Sequence, residues 1–294
     1  MKERSRYLVP IGYVSFFILV FLVSLYFSLP YESIEKRLTY EIESKTLYSL
    51  KSQSTKVTPL GIKMQGVGIS RGGKELLNIE ELSVSPAFFS LFRTNKRLPF
   101  EAVLYGGSVS GSFTYSSKSK GFMEAKGELK DIKLESLNRS LNSKAEKETN
   151  GVGGLLSGNL LLNFAPQMSG NFTLGINDLS LEGLKFVKLL HLSDLGRFKC
   201  NIKGEILSRE RIKIEDLKLV GKDVELSLWG DLFPAKKPTN SRVDLGVRLS
   251  AKGEAKKNLA VLTAFLSAEP DGSYVGKITG SLDNPKILNK KPTR

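Results

Sequence analysis

The sequence predicts a mainly β protein in which one curled, half-open antiparallel sheet follows an N-terminal transmembrane helix and carries a few short helices. Two patterns lead to this fold class. An uncharged apolar run lies near the start of the chain, and beyond about residue 55 apolar residues alternate with polar ones. No succession of strands and long helices, as in a parallel α/β sheet, is visible in the chain.

The first predicted element is a membrane span. An uncharged stretch of 25 residues begins at Tyr7. Taking Tyr7–Leu29 as a helix gives 23 residues, or roughly 35 Å, which exceeds a hydrocarbon core of about 30 Å. Three of the first six residues are Lys or Arg, and positive charge favours the cytoplasmic side. We therefore expect residues 1–6 to be a cytoplasmic tail and 7–29 a single transmembrane helix.

A cleaved signal peptide is the alternative interpretation of this stretch. Its apolar core would be about 7–15 residues long and would precede a small-residue cleavage site. The observed run is longer, and the sequence that follows it, SLYFSLPYES, matches such a site poorly. We favour a retained anchor, with everything after residue 30 translocated.

The residues after the anchor predict an amphipathic helix over 30–50. Ile34, Leu38 and Ile42 recur every four residues, and charged residues of both signs fill many of the positions between them. Such a helix could lie on the lipid surface. We favour packing against the sheet that follows, because the apolar stripe is narrow.

Residues 51–294 predict a β-rich domain. The clearest strand is Arg242–Ser250, where apolar and polar residues alternate without interruption, as they do in a strand with one buried and one wet face. Similar alternation predicts strands around Phe172–Ile176, Ile212–Ile214 and Val224–Leu228, and a further strand is expected over Ser157–Phe164.

A weak internal repeat adds detail to these strands. The pattern I-x-D-L-x-L-x-G occurs at residues 176–183 and again at 214–221. In each copy the alternation of apolar and polar residues shifts by one position at the aspartate. Such a shift would move the following side chains to the opposite face of the sheet unless a bulge or turn compensates for it. The repeat therefore predicts a bulge or tight turn at Asp178 and at Asp216, within successive hairpins of one sheet.

Other segments predict interruptions of the sheet. The polar, glycine-rich stretch 138–154 is either a long loop or a boundary between two sub-modules. Its glycines, Gly151–Gly154, lack the phosphate-loop pattern, so we expect a flexible turn there. Further expectations are a strand bend at Tyr105–Ser108, short helices at Leu184–Leu190 and Lys256–Ser267, a hairpin connection at Phe233–Ser241 and a frayed tail at Lys286–Arg294.

The inventory of reactive residues argues against an enzyme. The chain has one cysteine, Cys200, and one histidine, His191. They lie close in sequence with Asp194, but a lone cysteine at the start of a strand is usually a buried, inert thiol. We therefore predict no catalytic residues, no cofactor-binding residues and no metal ligands.

The charge of the chain favours a lipid partner over nucleic acid, and the commonest alternative to both is lysines that are simply solvated on the wet faces of strands. Lysine and arginine total 44 against 30 acidic residues, a formal net charge of +14. The basic residues are scattered among acidic ones, without a helix-borne cluster or an aromatic platform for bases. Anionic headgroups are the more available partner for a translocated domain.

Four segments carry a family resemblance. They are GIKMQGVGIS at Gly61–Ser70, LLNIEELSVSPAFFSLF at Leu76–Phe92, AVLYGGSVSGSF at Ala102–Phe113 and DGSYVGKITGSLDNP at Asp271–Pro285. Together with the N-terminal anchor they make the chain resemble protein N of the type II secretion system (GspN), in the form that is similar to the AsmA-type β-rich periplasmic proteins.

The resemblance implies a single-pass protein of the bacterial inner membrane, with its N-terminus in the cytoplasm and its bulk in the periplasm. It implies an accessory subunit of type II secretion, whose partners would be other secretion subunits and inner-membrane lipids, and it supplies no catalytic residues. The alternative is an AsmA-like lipid-binding or lipid-transfer protein, with phospholipid held in an apolar groove. The strand pattern points to Leu226 and Val247 as residues of such a groove.

Overall fold

The computed structural model describes part of the chain, and the described part is a β structure. It covers residue 20 and residues 48–58, 61–72, 74–85, 94–119, 121–141, 152–180, 196–235, 240–282 and 284–289. The rest of the predicted membrane helix 7–29, residues 30–47, the predicted helix 184–190, His191 and Asp194 lie outside the described residues. Among the residues that are described, no helix has the length and apolar character needed to cross a membrane.

Sixteen strands form a single antiparallel sheet in which chain neighbours pair with each other, so the predicted antiparallel sheet is confirmed. At one edge β1 and β2 both pair with β3, and at the other β14 and β16 both pair with β15. The sheet is thus an open meander. The strands are β1 (Tyr48–Lys51), β2 (Ser54–Thr58), β3 (Gly61–Arg71), β4 (Lys74–Val84), β5 (Asn95–Leu104), β6 (Gly107–Ser116), β7 (Gly121–Lys133), β8 (Gly153–Asn163), β9 (Ser169–Ser180), β10 (Phe198–Ser208), β11 (Arg211–Val220), β12 (Val224–Phe233), β13 (Arg242–Ala251), β14 (Ser267–Ala268), β15 (Tyr274–Ser281) and β16 (Pro285–Leu288).

The strands predicted from alternation are all present. In β13, Val243, Val247 and Leu249 are buried while Asp244 and Arg248 are exposed, as the sequence pattern requires. The predicted hairpin connection after Phe233 is also confirmed, because β12 and β13 pair over ten successive residues on either side of it.

The bulges predicted by the repeat are confirmed. The pairing of β9 with β10 shifts register opposite Asp178, and the pairing of β11 with β12 shifts between Ile214 and Leu217, where Asp216 lies. A third shift, between Leu129 and Ile132, surrounds Asp131. Asp131 and Asp178 both have positive φ, 52° and 53°, a conformation that aspartate tolerates better than most residues.

Three described helices accompany the sheet, and all follow strands that end at the same side of it. They are α1 (Leu134–Leu141), α2 (Gly253–Asn258) and α3 (Ala260–Thr263). The helix expected over Lys256–Ser267 is therefore two short helices that begin earlier and end before β14. Leu259 and Leu266 are buried as expected, but Ala264 is exposed because α3 ends just before it.

Four local predictions were wrong. Residues 48–51 are strand β1, so the helix expected over 30–50 does not reach residue 50. Residues 286–288 are not frayed but belong to β16, which pairs with β15. Gly153 and Gly154 are buried in β8, where Glu135 Oε1 accepts a hydrogen bond of 3.0 Å from the Gly154 N–H. Tyr105 and Gly106 both have positive φ and form a two-residue hairpin turn rather than a bend within a strand.

The glycine-rich stretch 138–154 lies between β7 and the start of β8. These two strands pair with each other, with Glu124 opposite Asn163 at one end of the pairing and Lys133 opposite Leu155 at the other. Residues 142–151 lie outside the described residues. One sheet therefore runs through both halves of the described chain.

Candidate functional site

The register of the sheet gathers its apolar side chains onto one face. One row of paired residues crosses five strands, β9 to β13, without a polar member: Ile176, Cys200, Leu219, Leu226 and Leu249. The next row is equally apolar: Leu174, Ile202, Leu217, Leu228 and Val247. We call this surface the apolar face and the opposite surface the polar face.

The two ends of the sheet differ. We define the closed end as the side of the β3–β4, β5–β6, β7–β8, β9–β10, β11–β12 and β13–β15 connections. The open end carries the β4–β5, β6–β7, β8–β9, β10–β11, β12–β13 and β15–β16 connections. This division separates buried from exposed apolar side chains in the middle strands.

At the closed end the apolar face is covered. Residues of β9 to β13, among them Phe198 and Val247 at 3% exposure each, form a packed cluster with Leu259, which lies between α2 and α3. Helix α1 adds Leu134 to this cluster and contacts β4 as well as β8, so it lies against strands that are four positions apart in the sheet. A second cluster, around Val67, occupies β3 to β5.

At the open end aromatic side chains remain exposed. The ring centroids of Phe100 and Phe113 are 4.9 Å apart in a stacked arrangement, and Phe122 contacts Phe113 and Tyr115 edge-on at 5.8 and 5.7 Å. Phe164 follows β8 beside them, and its N–H donates to the Met123 carbonyl. Phe122 is 52% exposed, and Phe113 and Phe164 are each 37% exposed. We call these five residues, Phe100, Phe113, Tyr115, Phe122 and Phe164, the aromatic patch.

A glycine makes the stacking in the aromatic patch possible. Gly111 lies opposite Phe100 in the β5–β6 pair. A Cβ added there would stand 2.9 Å from the Phe100 ring and 2.1 Å from the Lys126 carbonyl oxygen. Only glycine lets the ring lie over this backbone, which is how an aromatic side chain often covers a glycine across a strand pair.

The polar face is a solvated surface of mixed charge. Ion pairs join its strands, for example Lys203–Glu215 at 2.8 Å and Arg211–Asp231 at 2.9 Å. Each hydrogen-bonded pair raises the pKa of its cation, and the Lys203 bond lowers the pKa of Glu215. Exposed pairs of this kind contribute little to stability. An open trough of about 730 Å³ on this face, over β4 to β9, is lined by serine, asparagine and charged residues such as Arg97 and Glu128, together with Pro99 and Leu161.

The reactive residues singled out from the sequence do not form a site among the described residues. Cys200 is buried in β10 as expected, and burial raises the pKa of its thiol, so the nucleophilic thiolate is disfavoured. In the described ranges no three His, Cys, Asp or Glu side chains lie close enough together to hold a metal ion.

The groove residues expected from the sequence lie elsewhere than the exposed apolar surface. Val247 is buried in the closed-end cluster, and Leu226 is half-buried and packs against that cluster. The residues that do line an exposed apolar surface, Phe113, Phe122 and Phe164, were missed. A sequence signal existed, since all three aromatic residues stand within four residues of a polar or proline-containing turn.

Comparison with known proteins supplies no relative. No family model matches the chain, and no curated protein or solved structure shows significant similarity to it. The function must therefore be argued from the residues and from the geometry of the two faces.

Proposed function

We propose that this chain is an anchored binding protein of the bacterial envelope, which works by presenting one face of its sheet rather than by catalysis. A single observation carries the proposal: the apolar face is covered at the closed end and bare at the aromatic patch. Exposed apolar patches of this kind mark interaction sites. The contact of α1 with both β4 and β8 supports a curled, half-open, AsmA-like sheet.

Within that class we propose an accessory subunit of type II secretion, held in the inner membrane by residues 7–29 with its sheet in the periplasm. The resemblance to GspN supports this role. Its segments fall on β3, on β4 and the residues after it, on the β5–β6 hairpin and on β15. One residue of the aromatic patch, Phe113, lies within the third of these segments, and we expect the patch to face another secretion subunit.

A lipid-binding or lipid-transfer protein is the second candidate. The aromatic patch favours it, because acyl chains need a continuous apolar surface and the rings of Phe100, Phe113 and Phe122 contact one another in sequence. In this case phospholipid would lie along the open end of the apolar face.

A deletion strain separates the two roles. A secretion subunit predicts that secreted proteins accumulate, folded, in the periplasm of the deletion strain while the lipid composition of the outer membrane stays unchanged. Normal secretion in that strain would rule the secretion role out.

The lipid role is tested on the full chain purified in detergent. Phe113→Lys should lower the co-purified phospholipid, whereas Val103→Lys, at an equally exposed valine on the polar face, should not. Lipid bound to the anchor is the same in both variants, so equal lipid contents would rule out a lipid site at the aromatic patch.

The proposed topology has its own test. A reporter that is active only in the cytoplasm, fused after Arg294, should be silent if residues 7–29 span the membrane once with the N-terminus inside. Strong reporter activity would overturn the periplasmic assignment without bearing on the aromatic patch.

A further inference from the structure

The open end of the sheet is positively charged. Its described turns and strand ends are residues 94–96, 115–119, 121–122, 162–169, 207–211, 232–235, 240–242, 281–282 and 284–286. They contain one acidic residue, Glu210, and six basic ones: Lys96, Lys118, Arg209, Arg211, Arg242 and Lys286. Of the six, Arg211 forms an ion pair with Asp231, which lies just inside these strand ends. The closed-end turns mix both signs, as in Lys222–Asp223 and Lys252–Glu254.

Apolar side chains project among these cations at three successive open-end connections. Phe122, the second residue of β7, is 52% exposed, Phe164, which follows β8, is 37% exposed, and Leu207, the last residue but one of β10, is 41% exposed. Lys118 lies in the turn before Phe122 and Arg209 in the turn after Leu207, and both basic residues are exposed. Because adjacent strands are about 4.8 Å apart, the edge from β6 to β11 is roughly 24 Å long.

We propose that this edge, the open end of β6 to β11, docks on the surface of a bilayer that contains anionic phospholipid. Phe122, Phe164 and Leu207 enter the boundary between headgroups and acyl chains, where aromatic rings are favoured. Lys118 and Arg209 bind the phosphate groups around them. The combination of exposed rings and an excess of cations complements an anionic membrane, and the mixed charges of the closed end do not.

This docking uses Phe122 and Phe164, two residues of the aromatic patch, so it gives that patch a different occupant from the secretion subunit or the held phospholipid proposed above. It requires neither a secretion partner nor a lipid lodged along the apolar face. The protein would then contact membrane at two places, through the anchor and through the open end of the sheet, which is the part farthest from the closed-end cluster. The sheet would then be fixed in orientation relative to a membrane surface.

The test uses the full chain held in phosphatidylcholine nanodiscs, mixed with vesicles and separated by flotation. Vesicles containing phosphatidylglycerol should bind, vesicles of phosphatidylcholine alone should bind weakly, and added salt should release the bound vesicles. The double variant Lys118→Gln with Arg209→Gln should lose at least about tenfold in vesicle binding. Phe122→Ser with Phe164→Ser should also weaken binding.

Matched controls lie at the closed end. Lys222→Gln with Lys252→Gln removes the same charge, and Val220→Ser removes an apolar residue that is 43% exposed; both variants should bind vesicles as the unaltered chain does. All seven substituted positions are exposed, so each variant should fold, and an unchanged circular dichroism spectrum checks this.

Two results would overturn the proposal. One is equal binding of both kinds of vesicle. The other is an unchanged affinity for phosphatidylglycerol vesicles in the open-end variants. If those variants instead lose a protein partner while vesicle binding persists, the edge is a protein interface and the proposal is wrong.

Discussion

The closed and open ends of the apolar face share one sequence pattern but differ in what lies on it. Strands β5 to β10 bury Ala102, Ile132 and Phe198 at the closed end, whereas Phe113 and Phe122 stay exposed at the open end. The alternation along each strand is the same at both ends. What differs is the covering layer, because α1, α2 and α3 all follow strands that finish at the closed end. The comparison teaches that alternation places a residue on a face, and that the connections decide whether the face is buried there.

The largest expected effect tests the closed end. Val247→Asp should destabilise the protein by at least about 4 kcal/mol, because the carboxylate would be buried without a partner. Arg248→Asp, on the opposite face of the same strand, should cost less than about 1 kcal/mol. Urea unfolding of the full chain in neutral detergent, followed by the fluorescence of the single tryptophan, Trp229, measures both. Equal losses would contradict a buried closed end.

The helical cover is tested by truncating the residue between α2 and α3. Leu259→Ala should cost about 2–5 kcal/mol, since Leu259 is 2% exposed and the space around it cannot close completely. Leu282→Ala at the open end, 52% exposed, should cost under about 0.5 kcal/mol. A small loss for Leu259→Ala would mean that the helices contribute little to covering the face.

The bulges are expected to matter less. Asp178→Val should cost about 1–3 kcal/mol because a β-branched side chain is strained at positive φ, whereas Asp178→Gly should be nearly neutral. The same urea titration measures this pair. Similar losses for valine and glycine would show that the backbone conformation at Asp178 does not limit stability.

The smallest effect concerns acid. Hydrogen bonds from the Ser273 hydroxyl and N–H lower the pKa of Asp271, at the closed end. A carboxylate whose pKa is lowered by folding stabilises the folded protein at pH values above the pKa that it has in the unfolded chain. This contribution is lost as the pH falls through the pKa that it has in the folded protein. Stability should therefore decline between about pH 5 and pH 2. Asp271→Asn should make that decline shallower, and an identical acid profile in urea titrations would contradict the assignment.

The strands and their bulges followed from the sequence because both are local. A period of two marks a half-buried strand, and a slip in that period at Asp178 or Asp216 marks a bulge. The bulge at Asp131 could have been found in the same way, since Leu129, Asp131 and Ile132 repeat the spacing of the other two.

The candidate site did not follow from the sequence because burial along a strand is set by distant residues. Val247 was expected in an open groove, but Leu259, twelve residues later, packs in the same cluster. Phe113 and Phe122 meet only through the pairing of β6 with β7. The charge of the open end is equally non-local, since its charged residues come from five different connections.

Thiol labelling tests the difference between the two ends most directly. Two chains, both with Cys200→Ala, carry either Phe122→Cys or Val247→Cys, so that the same thiol is placed on the same face at opposite ends. The structure predicts that a polar maleimide labels the chain with Phe122→Cys at least about a hundredfold faster, because the closed-end thiol reacts only after local opening. Comparable labelling rates in the folded chains would contradict a face that is covered at one end and bare at the other.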